Sequence, residues 1–433
     1  MSQHKLITYF KDALVNKSLK VLLLRVAGVF FFFALSLFLT NFYDPELVGK
    51  YDFTRATLLI LGGITMFGTN EAIIYYSGVL RAQDSIGGLY QVYKKMLRII
   101  FVVALLFLLL FWITPNGVID QFFEKEGVSS LLFKIVLTLI AFALTLLNID
   151  TLRGLNQALF SELYRNIFRY LPFFLGIIVL FLTNHTEWLV EMYLLGFFYI
   201  AATSSIRVYQ AFRKGSEISH VRPFSYNNIL KKSYPMALSS VAYFLMQSTD
   251  IVLLGKFTNF DTVAFYAIAV KLSIATSLAL QSVNVIIAPK IAEVFKKNDR
   301  LQLKQILKNS TRLIISLSLP ILIILSVFAS FFLGLFGEEY KVAKSALLIL
   351  LVGQFFNTLS GPVGVYMNMT GKQNKLQLVL IFGFITNLIL NWFLIPEYGM
   401  IGAASATAIS VILWKSIAVI YTYRKDKIKT FLS

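Results

Sequence analysis

The chain has 433 residues, of which 57% are hydrophobic and 14% charged, with a mean hydropathy of +0.72. Soluble globular proteins are about 45–50% apolar and about 25% charged, so a water-soluble enzyme with a single anchor is excluded; this composition fills about a dozen spans of ~20 apolar residues. Cysteine is absent, which removes disulfides, thiolate nucleophiles and cysteine-held zinc, while 40 Lys and Arg against 22 Asp and Glu leave a net charge of +18 to be explained.

Apolar stretches long enough to span fall at about 21–42, 54–76, 95–114, 131–151, 166–183 and 191–212. Six more follow at about 235–257, 263–287, 312–334, 346–369, 376–395 and 402–423. The pattern predicts an all-α polytopic membrane protein of 12 transmembrane helices. Its expected parts are a cytoplasmic lead (1–20), a six-helix bundle (21–212), a cytoplasmic linker (213–234), a second six-helix bundle (235–423) and a cytoplasmic tail (424–433). The lead carries Lys5, Lys11, Lys17 and Lys20 but no apolar run, so it does not read as a cleaved signal peptide.

Thirty of the Lys and Arg residues lie on the lead, the tail and one alternating set of loops with the span ends that adjoin them, against five on the loops and span ends of the other side. By the positive-inside rule both termini are cytoplasmic. Orientation and attraction to the anionic inner leaflet account for the basic excess, so nucleic acid is not needed as a partner. His4, His185 and His220 lie far apart and outside every span, which leaves no imidazole cluster for a metal. Loop 288–311 opens at Pro289 and continues through Lys290, Glu293, Lys296 and Lys297, a pattern for a basic amphipathic helix at the inner interface or for a solvated loop.

Phe42, Glu46, Val48, Gly49 and Tyr51 recur 215 residues later as Phe257, Asp261, Val263, Ala264 and Tyr266, each set where an odd span turns and re-enters. This is the expected mark of two pseudo-symmetric repeats around a central cavity. Breakers inside spans (Gly62, Gly63, Pro172, Pro320 and the run Ser360 to Gly364) supply bend points.

Charged groups within spans cost a few kcal/mol and usually face a water-filled cavity or a partner. Counted at 1.5 Å per residue, Lys271 and Asp250 both lie about 10 to 12 Å below the outer surface, and Arg25 and Glu71 about 6 and 7.5 Å from the inner one. Each pair is expected to meet. Either these charges line the cavity, with Arg25, Arg55 and Lys271 drawing an anionic head group for which Asp250 and Glu71 compete, or they are buried ion pairs that fix helix register. Asp150 precedes Arg153 by three residues, a helical spacing for a local pair. Lys134 and Arg55 begin spans, where a long stem can snorkel. Lys415 has no acid close in sequence and is a further candidate for the cavity wall.

The stretch Tyr366-Met367-Asn368-Met369-Thr370-Gly371-Lys372-Gln373 and the run from Leu394-Ile395-Pro396-Glu397-Tyr398-Gly399 to Thr407 resemble the carboxyl-terminal signature of bacterial polysaccharide transporters. Asp250-Ile251-Val252-Leu253-Leu254-Gly255, Tyr266 and Ala288-Pro289-Lys290-Ile291-Ala292 resemble the same family, the lipid-linked oligosaccharide flippases of the multidrug/oligosaccharidyl-lipid/polysaccharide exporter superfamily. The resemblance implies two six-helix bundles that open alternately around a lumen. It implies an undecaprenyl-diphosphate-linked sugar as cargo, membrane lipids, glycan polymerase and glycosyltransferases as partners, and the bacterial cytoplasmic membrane as the location. It also implies basic lumen residues on the first, second and eighth spans, here Arg25, Arg55 and Lys271. The sequence departs from the family in having Lys rather than Arg on the eighth span and no acid within the first. The expected protein is a flippase and not an enzyme, with no cofactor. The alternatives are a cation-coupled multidrug antiporter of the same fold, with a lumen built on Asp250 and Glu71, and a membrane glycosyltransferase or polymerase.

Overall fold

A computed structural model describes residues 3–82, 86–215 and 224–431. Part of the expected linker, 216–223 with His220, lies outside the described residues. All regular structure among the described residues is helical. In chain order the helices are α1 (Gln3–Phe42), α2 (Pro45–Met66), α3 (Thr69–Ala82), α4 (Leu89–Ile113), α5 (Asn116–Phe123), α6 (Val128–Gly154), α7 (Ala158–Leu163), α8 (Leu171–Leu182) and α9 (Leu189–Gly215). They continue as α10 (Tyr226–Phe257), α11 (Phe260–Ala275), α12 (Leu278–Lys296), α13 (Arg300–Val327), α14 (Ala329–Gly334), α15 (Lys344–Leu359), α16 (Val363–Met369) and α17 (Gln373–Asp426).

Eight helical stretches are long and apolar enough to cross a membrane, or ten when the bent pairs α2–α3 and α11–α12 each count as one span. Side chains such as Trp112, Ile113, Leu182 and Phe393 are 83, 72, 73 and 69% exposed, a load of bare apolar surface that hydrocarbon tolerates and water does not. The chain is a multi-pass membrane protein.

Local chemistry sets many helix ends. The Asn259 side chain accepts from Thr262 N at 2.9 Å to start α11, and Asp299 accepts from Gln302 N at 2.9 Å to start α13. The expected interfacial helix over 288–311 is therefore divided. Asn298 turns left-handed (φ 57°), α12 stops, and α13 begins with Leu303 and Leu307 buried and Lys304 and Lys308 exposed. Asp120 caps α6 from outside: its carboxylate accepts from Ser129 N at 2.8 Å and Ser129 Oγ at 3.0 Å. Those bonds, the Ser129 backbone N–H foremost, hold the Asp120 carboxyl below the ordinary carboxylate range. Pro172 falls in the first turn of α8, where its missing N–H has no helical partner to lose.

α17 has 54 residues and would extend about 80 Å if straight. It folds back instead. Gly399 takes φ 52° and ψ −129°, a conformation that side chains resist, and a Cβ on Gly402 would lie 2.2 Å from Leu394 O. Asn387 Nδ2 then reaches Thr407 Oγ1, 20 residues on, at 3.3 Å. The two arms cover the expected spans at 376–395 and 402–423.

Contacts gather the chain into two compact units. Unit 1 comprises Met1–Tyr43 and Thr57–Val241. Within it α6 lies along α9, with the Phe142 and Phe197 rings 5.1 Å apart. Buried Asn148 accepts from Tyr93 OH at 2.6 Å and donates to Ser204 and Ser205 Oγ, each at 2.9 Å, so one amide ties α4, α6 and α9 together. Unit 2 comprises Asp44–Ala56 and Ala242–Ser433. Its core joins α12, α13, α16 and α17 around Ile291, Leu307, Ile314, Tyr366 and Met367. The first turns of α2 belong to this unit and press so closely on α11 that a Cβ on Gly49 would stand 1.8 Å from Phe260 O.

Candidate functional site

Three charged groups converge in unit 2. Asp52, one turn after Gly49 on α2, is fully buried and holds two cations. Arg55 Nε donates to its Oδ1 at 3.1 Å, and Lys271 Nζ on α11 donates to its Oδ2 at 3.0 Å. The Lys271 side chain is 4% exposed and that of Arg55 20%. Lys271 Nζ also lies 5.9 Å from the centre of the Tyr51 ring. Close packing brings the triplet together, because Gly49 against Phe260 O and Gly255 against the Phe53 ring let α2 sit within reach of α11 and α10. Arg55 and Lys271, expected on separate spans of a common site, are brought together here.

The expected contact between Lys271 and Asp250 does not form. Tyr266 and Lys271 are five residues apart on α11, about 140° around the helix. Tyr266 faces Asp250, so Lys271 is turned away. Asp250 Oδ2 accepts from Tyr266 OH at 2.6 Å and from Thr407 Oγ1 at 3.3 Å, and Oδ1 accepts from Ile251 N at 2.9 Å. The chain of polar groups continues through Asn387 Nδ2 to Thr407 Oγ1 at 3.3 Å and Asn391 Nδ2 to Asn387 Oδ1 at 3.0 Å. Asn391 Oδ1, at its end, is buried with no hydrogen-bond partner. One carboxylate, a hydroxyl oxygen and amide oxygens thus share a dry spot, a donor set suited to a proton or a small hard cation. Among the described residues no group of three or more His, Cys, Asp or Glu could hold a metal ion.

In unit 1 the expected Arg25–Glu71 pair is replaced by Arg25–Glu162. Arg25 Nε and Nη2 donate to the two Glu162 oxygens at 3.1 and 2.7 Å, and Asn166 Nδ2 donates to Oε2 at 2.9 Å. The reason is packing: Gly28, one turn after Arg25, lets α1 press on Asn166, which stands one turn after Glu162. Glu71 lies exposed at the start of α3. The expected Asp150–Arg153 pair is likewise superseded, since the chain reverses at Asn156 (φ 62°) and returns Arg165 to donate to Asp150 Oδ1, while Arg153 is exposed. Lys134 does not simply snorkel; it donates to Glu191 on α9.

Lys415, on the second arm of α17, is 6% exposed. Its Nζ lies 4.5 Å from the Trp414 ring centre and has no hydrogen bond or ion pair among the described residues. The residues that sequence reasoning did not assign are Asp52, Glu162, Tyr266, Thr407, Asn387 and Asn391. The i,i+3 spacing of Asp52 and Arg55 was the available signal for the first; the two asparagines, four residues apart in an apolar span, were the signal for the last pair.

Residues 235–393 match the MatE family. A Haloferax volcanii protein named "Probable low-salt glycan biosynthesis flippase Agl15" is 27% identical over 174 residues, 40% of this chain and 37% of that protein. The capsular polysaccharide biosynthesis protein CapF of Staphylococcus aureus is 27% identical over 217 residues, 46% of this chain and 52% of its own length. The matched stretches thus span about half or less of these relatives. Among solved structures, the lipid II flippase MurJ in an inward closed conformation superposes with a TM-score of 0.73 at 13% identity, covering 94% of this chain and 87% of that one. An inward-facing multidrug resistance MATE family transporter gives 0.70 at 14% identity, over 92% and 94%. At such identities these two likenesses establish the fold. The chain is thus similar to the MatE family over residues 235–393, and its sequence relatives bear the names of a glycan flippase and a capsular polysaccharide biosynthesis protein.

Proposed function

We propose that this chain is a flippase that carries a polyprenyl-diphosphate-linked oligosaccharide from the inner to the outer leaflet of a bacterial cytoplasmic membrane, for surface polysaccharide biosynthesis. The observation that carries the reading is the pairing of Arg55 and Lys271 around one carboxylate inside unit 2, two cations gathered from different helices in a membrane-spanning region. An anion-binding role accounts for so costly an arrangement better than helix register does. The names of the sequence relatives support a glycan-linked cargo.

In this reading the chain has 12 spans in two six-helix bundles, both termini are cytoplasmic, and the cargo's sugars and diphosphate pass through a polar cavity that opens to each side in turn. Lys415 adds positive charge within unit 2, and Arg25 adds it within unit 1. The prenyl tail stays in lipid. The two bends, 43° between α2 and α3 and 44° between α11 and α12, each follow the repeated segment of their half of the chain and support paired moving elements. Asp250, with Tyr266, Thr407, Asn387 and Asn391, is the coupling group: taking up a proton or a monovalent cation there neutralises a buried charge and favours one packing of α10, α11 and α17. An inside-negative potential of 100 mV contributes about 2.3 kcal/mol per charge moved. A glycan polymerase and glycosyltransferases supply and consume the cargo.

A second reading, a cation-coupled multidrug antiporter, is favoured by the same Asp250 cluster and by the fold likeness to a multidrug transporter. Depletion of the protein separates the two: a flippase leaves lipid-linked oligosaccharide on the inner leaflet, identified by mass spectrometry, whereas an antiporter leaves its distribution unchanged and alters drug tolerance.

A further inference from the structure

An open groove of about 500 Å³ runs between α1 and α7 within unit 1. Lys20, Leu24 and Ala27, spaced to share one face of α1, form one wall, and Phe160 and Leu163 of α7 form the other. Lys20 is the only polar residue of the lining. It stands three residues before the apolar span that starts at Leu23, and the groove descends about 10 Å from there to Ala27. A second cation attends it. Arg207 of α9 places its guanidinium carbon 3.7 Å from the centre of the exposed Phe160 ring. Neither Lys20 nor Arg207 has a hydrogen bond or ion pair among the described residues, and Arg207 Nε is buried without a partner. Glu162, the acid on α7, faces Arg25 and Arg165 instead.

The geometry points to a binding site for one anionic phospholipid, its phosphate held by Lys20 and Arg207 and an acyl chain laid along the α1–α7 groove. A guanidinium stacked on an aromatic ring keeps its plane fixed and offers its N–H edge to a phosphate, and Lys20 supplies a compact charge at head-group level. Basic residues at that level draw anionic lipids. A zwitterionic lipid carries its own cation and gains less from the pair. The lipid-linked oligosaccharide is the poorer occupant, because the lining offers its sugars no polar group beyond Lys20. Seated there, the phospholipid fills the space between α1 and α7 beside the Arg25–Glu162 bridge and so holds this end of unit 1 together. The site does not depend on what the chain transports. Only the naming of its leaflet as the inner one rests on the orientation proposed above.

The test is native mass spectrometry of the full-length protein in detergent, titrated with phosphatidylglycerol or phosphatidylcholine, with the melting temperature as a second readout. The unaltered protein is expected to bind one phosphatidylglycerol roughly tenfold more tightly than phosphatidylcholine and to melt later with it. Lys20→Gln combined with Arg207→Gln is expected to abolish that preference while phosphatidylcholine binding stays unchanged. Lys304→Gln combined with Lys308→Gln removes two exposed lysines of unit 2 and is expected to keep it. Equal binding of the two lipids by the unaltered protein, or a preference retained by the first double variant, overturns the proposal. An equal loss in both double variants also overturns it, because the attraction is then diffuse. Displacement of phosphatidylglycerol by a polyprenyl diphosphate at equal concentration makes the cargo the occupant and likewise overturns it. Should the first double variant fail to fold, Lys20→Gln, which alters one exposed residue, decides. It is expected to lower the preference at least roughly threefold, and an undiminished preference overturns the site.

Discussion

Lys271 and Asp52 are 219 residues apart in the chain and 3.0 Å apart in space. The contact joins α11 to the first turns of α2 through two groups that are both buried. Replacing Lys271 by Ala should reduce polymer export at least roughly tenfold, the loss of about one charge-assisted contact to phosphate, with protein level intact by immunoblot. Export at the normal rate would remove Lys271 from the mechanism.

The tie depends on a missing side chain. A Cβ on Gly49 would stand 1.8 Å from Phe260 O, a backbone atom that cannot step aside. Gly49→Ala should lower the detergent melting temperature, by a cost of about 1–3 kcal/mol for overpacking, and should lower export with it. Gly78 on α3 has open space around its ideal Cβ and serves as the control. Gly78→Ala should leave the melting temperature unchanged or raise it.

Asn148 should behave as a structural knot. Asn148→Leu leaves Tyr93 OH without its 2.6 Å acceptor and both serines without their donor. An expected loss of about 1–3 kcal/mol follows from buried groups left unsatisfied, seen as earlier aggregation in a thermal ramp. Adding Tyr93→Phe should recover part of it, because the orphaned hydroxyl is removed. If Asn148→Leu melts normally, the three-helix tie contributes little.

Asp120 gives a pH dependence with a definite sign. Its carboxyl is held low by hydrogen bonds from α6, so its contribution is present above the unfolded pKa of about 3.9 and is lost as pH falls through the lower folded value. Hydrogen exchange at the start of α6 should be slow at neutral pH and accelerate only in acid below that range. In Asp120→Asn it should be faster at neutral pH and show less change in acid. An unaltered pH profile in that variant would remove the cap from the explanation.

Asp250 is expected to govern coupling. Asp250→Asn keeps a hydrogen-bonding side chain in place of the carboxylate that accepts from Tyr266 and Thr407, but it cannot take up a charge. In proteoliposomes it should still move fluorescent prenyl-diphosphate lipid downhill while losing acceleration by a proton or sodium gradient. If the gradient still accelerates the variant, coupling resides elsewhere.

The apolar runs made the helices legible, because ~20 residues without charge have few fates other than a span. The turn of α17 was also written in the chain as Pro396-Glu397-Tyr398-Gly399, and Gly399 takes the positive φ that its lack of a side chain permits. Partner choice was not legible. Depth along a span follows from counting residues, but the face depends on helix rotation, and 140° on α11 separates the side chain that meets Asp250 from the one that meets Asp52. Arg25 shows the same limit, since the close approach of Gly28 to Asn166 selected Glu162 over Glu71. Asp52 was hidden because a carboxylate at a loop end reads as solvated until the packing at Gly49 buries it.

The hairpin of α17 bears on how the chain enters the bilayer in the first place. Its second arm carries Lys415 without an internal counter-charge, and a lysine at such depth opposes insertion of an isolated segment by about 2.5–3.5 kcal/mol. The first arm carries Asn387 and Asn391, whose amides have little to bond with until Thr407 arrives from the second. Each arm alone is a poor passenger for the insertion machinery. Because the tight reversal at Gly399 leaves almost no polar connector to hold them apart, the two arms are expected to leave the translocon as one object, already folded against each other.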